Sequence, residues 1–193
     1  VSVASLSFIH YRYSQITHTA LPYTKVVYAL EPELSSLGHV LPLEENEKFS
    51  SELLTIKVSL SQIKTVLAEA MSKTQKESQK GNIFEMVIRS LSQDDAESLT
   101  MLKAILSEID TMDEIVLGAQ KRKSAVTLSE MQKINETLLV HLRKTEKMTK
   151  LFAQRINTLY DDYSQNVIDT IRISINTIAF VILGAIMLLL FFT

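Results

Sequence analysis

Cysteine and tryptophan are absent from the sequence, and glycine and proline are scarce, at four and three residues in 193. The lack of cysteine excludes disulfides, thiolate metal sites and cysteine nucleophiles, and it suits an oxidising compartment without showing one. The scarcity of chain breakers favours long helices over strands and turns. A strong charge of one sign is missing too. The formal net charge is −2, which leaves no electrostatic footprint for nucleic acid, so no nucleic-acid partner is expected. No glycine-rich phosphate loop, HExxH or GxSxG occurs. The histidines are His10, His18, His39 and His141. His10 and His18 stand about 12 Å apart along a helix, too far to share one ion. The paired acids Asp94-Asp95 and Asp161-Asp162 are adjacent, so on a helix they point in different directions and read as caps and solvated faces. No catalytic residue, metal ligand or cofactor is therefore expected.

The most informative feature lies at the end, where Ile173 to Phe192 reads ISINTIAFVILGAIMLLLFF. About twenty residues without a charge span a ~30 Å hydrocarbon core as a helix. Ser174, Asn176 and Thr177 crowd one end, where they meet headgroups and water. A core helix of a soluble protein seldom stays apolar all round for this long. The opening stretch, Val1 to Ile9, also carries no charge and runs into His10, Tyr11, Arg12 and Tyr13. That is how the exit of a membrane helix looks, although an amphipathic helix start reads the same way. A signal peptide fits poorly, for lack of a basic n-region and a small-residue cleavage site. The chain is expected to be a piece of a longer protein, since it opens on Val1 rather than Met and stops inside the apolar run.

Between these ends, apolar positions recur every three or four residues. They are Tyr23, Val27, Leu30, Leu34, Leu37 and Leu41; then Phe49, Leu53, Ile56, Leu60, Ile63 and Leu67; then Leu99, Leu102, Leu106, Ile109 and Val116; and finally Met131, Ile134, Leu138, Leu142, Phe152, Ile156, Leu159 and Tyr163. Alternating steps of three and four mark the narrow seam of a bundle or coiled coil. No sustained two-residue alternation points to a sheet. Pro22 and Pro32 interrupt the first segment and Pro42 closes it. Glu44, Glu45 and Glu47 open the second, which Gly81 stops. Ser92-Gln93-Asp94-Asp95 restarts the third after a short piece, and Gly118 ends it. Thr127-Leu128-Ser129-Glu130 is a capping box opening the longest helix, which meets no breaker before the apolar run. Segments of matched length with short connections predict an all-α, up-down-up-down antiparallel four-helix bundle. The last bundle helix would continue into the membrane helix. The expected organisation is a bundle over 1–170, with 1–9 the end of a first membrane helix, and a membrane helix over 171–193. An even number of passes would bring Val1 and Ile173 together at the bilayer.

Asp161, Asp162 and Asp169 outweigh Arg172 beside the apolar run. Cytoplasmic flanks are rich in lysine and arginine, so the bundle is expected outside the cytoplasm. Two surface features are candidate binding sites. Lys121, Arg122 and Lys123, in the connector at the far tip, form a candidate partner-docking patch; a solvated basic loop is the plainer reading. His10, Arg12 and Tyr13 form a candidate ligand or interface cluster near the membrane, where interfacial anchoring is the plainer reading.

A helical bundle between membrane helices is the layout of bacterial transmembrane receptors. Ala20-Leu21-Pro22, followed by Val27, Leu30, Leu37 and a long second helix, resembles the helical sensor domains of hybrid sensor histidine kinases of the trimethylamine-N-oxide type; Pro32 departs from that pattern. The resemblance implies a periplasmic sensor domain in the bacterial inner membrane. It would act as a homodimer, respond to a small-molecule ligand or a periplasmic binding protein, and pass its signal through the last helix. Kinase, cyclase and chemoreceptor outputs all use such domains. The alternative is a tail-anchored coiled-coil structural or tethering protein.

Overall fold

A computed structural model describes residues 7, 9–11, 13, 16, 21–41, 43, 48–78, 93–122 and 127–191. Its elements are α1 (Leu21–Val40), α2 (Phe49–Ser78), α3 (Gln93–Lys121) and α4 (Leu128–Phe191), and no strand occurs among the described residues. The protein is all-helical. It divides into two compact units, Pro22–Ile156 and Val1–Leu21 with Asn157–Thr193.

In the unit Pro22–Ile156, every helix buries one heptad seam. Tyr23, Val27, Leu30, Leu34, Leu37 and Leu41 are buried, as are Phe49, Leu53, Ile56, Leu60, Ile63 and Leu67. On α3 the buried set is Ser98, Leu102, Ile105, Ile109, Met112, Val116 and Ala119. On α4 it is Leu138, Leu142, Thr145, Thr149, Phe152 and Ile156. Each fully buried Leu or Ile contributes roughly 1.5–3 kcal/mol relative to exposure, so these seams hold the unit together.

Contacts between helices fix their direction. Along α3, Glu97 meets Arg155 and Glu108 meets His141 and Lys144. The α4 number falls as the α3 number rises, so the two run antiparallel. Along α1, Tyr23 packs edge-on against Phe152, Gly38 faces Leu142 and Glu146, and the Leu43 amide beyond the helix end donates to Asn135 Oδ1 at 3.1 Å. α1 and α4 are therefore antiparallel as well.

Three expectations need correction. Gly118 does not end α3, which continues to Lys121, because Ala119 completes the buried seam and repays the modest cost of a mid-helix glycine. Pro32 does not interrupt α1, which runs through it to Val40. Its ring is exposed, and the buried Leu30, Leu34 and Leu37 on either side hold the helix in register. Seam positions shift as well: Leu99 and Leu106 flank the α3 seam half-buried while Ser98 and Ile105 occupy it, and Met131 and Ile134 at the start of α4 are half-buried, the buried seam there beginning at Leu138. The acids Glu44, Glu45 and Glu47, the stop at Gly81 and the Ser92 cap lie outside the described residues. The Thr127 box is formed: Glu130 Oε2 accepts from the Thr127 amide at 2.9 Å, and Thr127 Oγ1 accepts from the Glu130 amide.

In the other unit, Tyr11, Leu159 and Tyr163 are buried. From Ile175 to Phe191 every side chain is exposed, and the stretch carries no charge. α4 is long and apolar enough there to be a candidate membrane span. Thr170 and Thr177 satisfy their hydroxyls on the carbonyls of Asn166 and Ile173, one turn back.

Candidate ligand groove between α1 and α4

Polar groups in the unit Pro22–Ile156 are handled in two ways. Across α2 and α3, Lys64 Nζ donates to Asp113 Oδ2 at 2.5 Å and lies 2.9 Å from Asp110 Oδ1. Burial pulls the Lys64 ammonium down, but its bonds to Asp113 and Asp110 outweigh that and hold it above the ordinary lysine value. Across α3 and α4, Glu108 engages both carboxylate oxygens, with Lys144 Nζ at 2.5 Å and His141 Nδ1 at 2.9 Å. Lys144 and then His141 hold its carboxyl below the usual glutamate range. Arg155 Nη2 donates to Glu97 Oε2 at 2.9 Å. These two interfaces are closed by charge pairs.

No ion pair among the described residues closes α1 against α4. Instead a cleft of about 240 Å³ opens between them, lined by Glu31, Leu34 and Ser35 of α1 and Glu146, Thr149 and Lys150 of α4. Leu34 forms an apolar floor. Helical spacing explains the lining: Glu31, Leu34 and Ser35 share one face, and so do Glu146, Thr149 and Lys150. Thr149 is 2% exposed, and its hydroxyl has no hydrogen-bond partner. Ser98, fully buried on α3, is in the same condition. Each of the two seams, on α3 and on α4, is thus interrupted by one buried hydroxyl without a partner. Thr145, one turn away, has a partner, since its hydroxyl donates to the His141 carbonyl at 2.9 Å.

The residues singled out from sequence lie elsewhere. Lys121 is the last residue of α3 and Arg122 sits in the turn beyond it, both exposed; Lys123 lies outside the described residues. Arg122 adds to the effect of Thr127, whose bonds are the main cause holding the Glu130 carboxyl low. His10 and Tyr13 are exposed helical residues of the other unit, and Arg12 lies outside the described residues. Lys121, Arg122, His10 and Tyr13 are not among the residues lining the groove. A hydroxyl at a seam position is the sequence signal for the groove: Thr149 continues the spacing that Leu142, Phe152 and Ile156 keep. Among the described residues no cluster of three or more histidine and acidic side chains is arranged to hold a metal ion. No protein-family model, curated protein or solved structure matches the chain.

Proposed function

We propose that this chain is the signal-sensing region of a bacterial membrane receptor, of the kind joined to two-component sensor kinases. In this reading Pro22–Ile156 belongs to an up-down-up-down four-helix bundle facing the periplasm, and the apolar end of α4 crosses the inner membrane. A small-molecule ligand, or a periplasmic binding protein, acts on the bundle. The response passes along α4 as a small shift or rotation, in a homodimer.

One observation carries the reading. α4 is a single helix from Leu128 to Phe191, and it both lines the groove and ends in the exposed, charge-free run. Ligand occupancy between α1 and α4 would bias the position of the helix that leads into the bilayer. The antiparallel contacts of α4 with α1 and α3 support the bundle topology. The acidic flank, Asp161, Asp162 and Asp169 against Arg172, supports the outward orientation.

The absence of native cysteine makes a direct test possible. Ser129→Cys places one thiol at an exposed position near the start of α4. In intact bacterial cells with a permeabilised outer membrane, a membrane-impermeant maleimide is expected to label it. Labelling only after the inner membrane is lysed would put the helices in the cytosol and replace the receptor with the tail-anchored tether.

A further inference from the structure

We infer that the α1–α4 groove binds a small protonated amine that also carries a hydroxyl group. This rests on reading the groove as the receptor's ligand site, and adds the chemical class of the ligand.

The charges of the groove are uncommitted. Glu31, Glu146 and Lys150 line it, yet among the described residues none of them has a hydrogen-bond or ion-pair partner, although Glu146 and Lys150 stand one turn apart on α4. Glu108, Glu97, Asp110 and Asp113, on the closed interfaces, are all paired. Glu146 is half-buried and fixed in place, whereas Glu31 and Lys150 are both exposed and offset one another in charge. The balance of fixed charge in the groove is therefore negative. Two carboxylates beside a lysine suit an organic cation better than a hard metal ion, which takes six or more oxygen ligands. An ammonium has three donors for two carboxylates.

Thr149 supplies the second half of the specificity. Thr149 is among the lining residues, and its hydroxyl, buried just behind the groove wall, has no partner. A buried hydroxyl without a partner costs stability, and valine at the same seam position would fill the same space without that cost. The fold does not call for this hydroxyl, so a ligand hydroxyl completing its hydrogen bond is its natural use. The cleft of about 240 Å³ lies below the roughly 300–1,000 Å³ typical of drug-sized sites, so the ligand is small.

The test uses 2-aminoethanol and the whole 193-residue chain in lipid nanodiscs, with binding followed by calorimetry and by NMR of groove residues. Ethylene glycol, which lacks the charge, and acetate, which reverses it, are the comparison probes. Saturable binding of 2-aminoethanol is expected, with neither comparison probe binding. Glu146→Gln is expected to weaken it about 10- to 100-fold, as for a charge-assisted bond, and Thr149→Val about 3- to 10-fold. Thr149→Val should melt at or above the temperature of the parent chain, which separates lost recognition from lost folding. Glu136→Gln, exposed on α4 outside the groove, should leave binding unchanged. No saturable binding up to about 10 mM, equal binding of ethylene glycol, or indifference to both groove variants would overturn the inference. Such a failure is distinguishable from failure of the receptor reading, because maleimide labelling of Ser129→Cys does not depend on the ligand.

Discussion

Glu108 of α3 and His141 of α4 meet through Oε2 and Nδ1 at 2.9 Å, while the other oxygen of the same carboxylate takes Lys144. The Glu108 side chain is only 13% exposed, so this contact is an interhelical clamp rather than a loose surface pair. It leaves α3 tied to α4 while α1 faces α4 across an open cleft.

The clamp sets a pH dependence. Lys144 and then His141 hold the folded-state value of Glu108 below the ordinary glutamate value that it takes when unfolded. A carboxylate shifted down contributes stability that is fully present above the unfolded value and is lost as pH falls through the folded one. Glu108→Gln should therefore melt below the parent chain at about pH 7, and the gap should narrow as the pH falls below the ordinary glutamate value and through the lower folded one. Thermal melts followed by circular dichroism at a series of pH values check this; a gap that persists in acid would mean that the clamp acts through shape rather than charge.

The seam carries the packing energy. Leu60 and Leu138 are both fully buried, so Leu60→Ala and Leu138→Ala should each cost about 2–5 kcal/mol. Lys103, exposed on α3, should give within about ±0.5 kcal/mol when changed to Ala. Denaturant titrations of the three variants measure the contrast, and equal effects at all three sites would place the core elsewhere.

The buried hydroxyl on the α3 seam should be a stability defect. Ser98 is fully buried with no partner for its Oγ. Ser98→Ala removes a polar atom whose burial costs on the order of 1–3 kcal/mol, and is expected to raise the melting temperature. A fall would mean that the serine is satisfied in solution, for instance by a bound water.

Much of this was legible in the sequence, because a heptad seam is a strong and repetitive signal. All the apolar positions named on α1 and α2 are buried, and the Thr127–Glu130 box formed as its spacing predicts. The misplacements have two causes. On α3 the seam runs through Ser98, so following leucines alone shifts it to Leu99 and Leu106. At Gly118 and Pro32, packing of the neighbouring seam residues overrides the local preference of a single breaker. Glu108 and His141 lie far apart in the chain and pair only through the antiparallel register of α3 and α4, which no local pattern carries. The seam hydroxyl of Thr149 is legible in the sequence, but the groove around it is not, since half its lining comes from α1 and half from α4.

The apolar end of α4 should hold the chain in a membrane. Ile182 and Ile186 are exposed within the charge-free run. An aspartate near the centre of a spanning helix costs about 2.5–3.5 kcal/mol of insertion. The double variant Ile182→Asp/Ile186→Asp should shift the chain from the membrane pellet to the soluble or degraded fraction, as read by carbonate extraction and immunoblotting. A double variant that stays in the pellet would contradict the span.

Transmission through α4 is the central claim, and its rotational phase is the direct handle on it. One residue inserted into a helix rotates everything beyond it by about 100°, and four restore most of the phase while adding ~6 Å. Asn166 is an exposed α4 residue between the groove and the apolar run, so alanines inserted after it leave both sequences intact. On the proposed receptor reading, the decisive measurement is reporter output from the full-length protein containing this chain, with one to four alanines inserted after Asn166. One alanine should lock or abolish signalling while the protein still folds and inserts, and four should restore more output than one or two. Output that stays flat across the series would contradict the account and make α4 a tether.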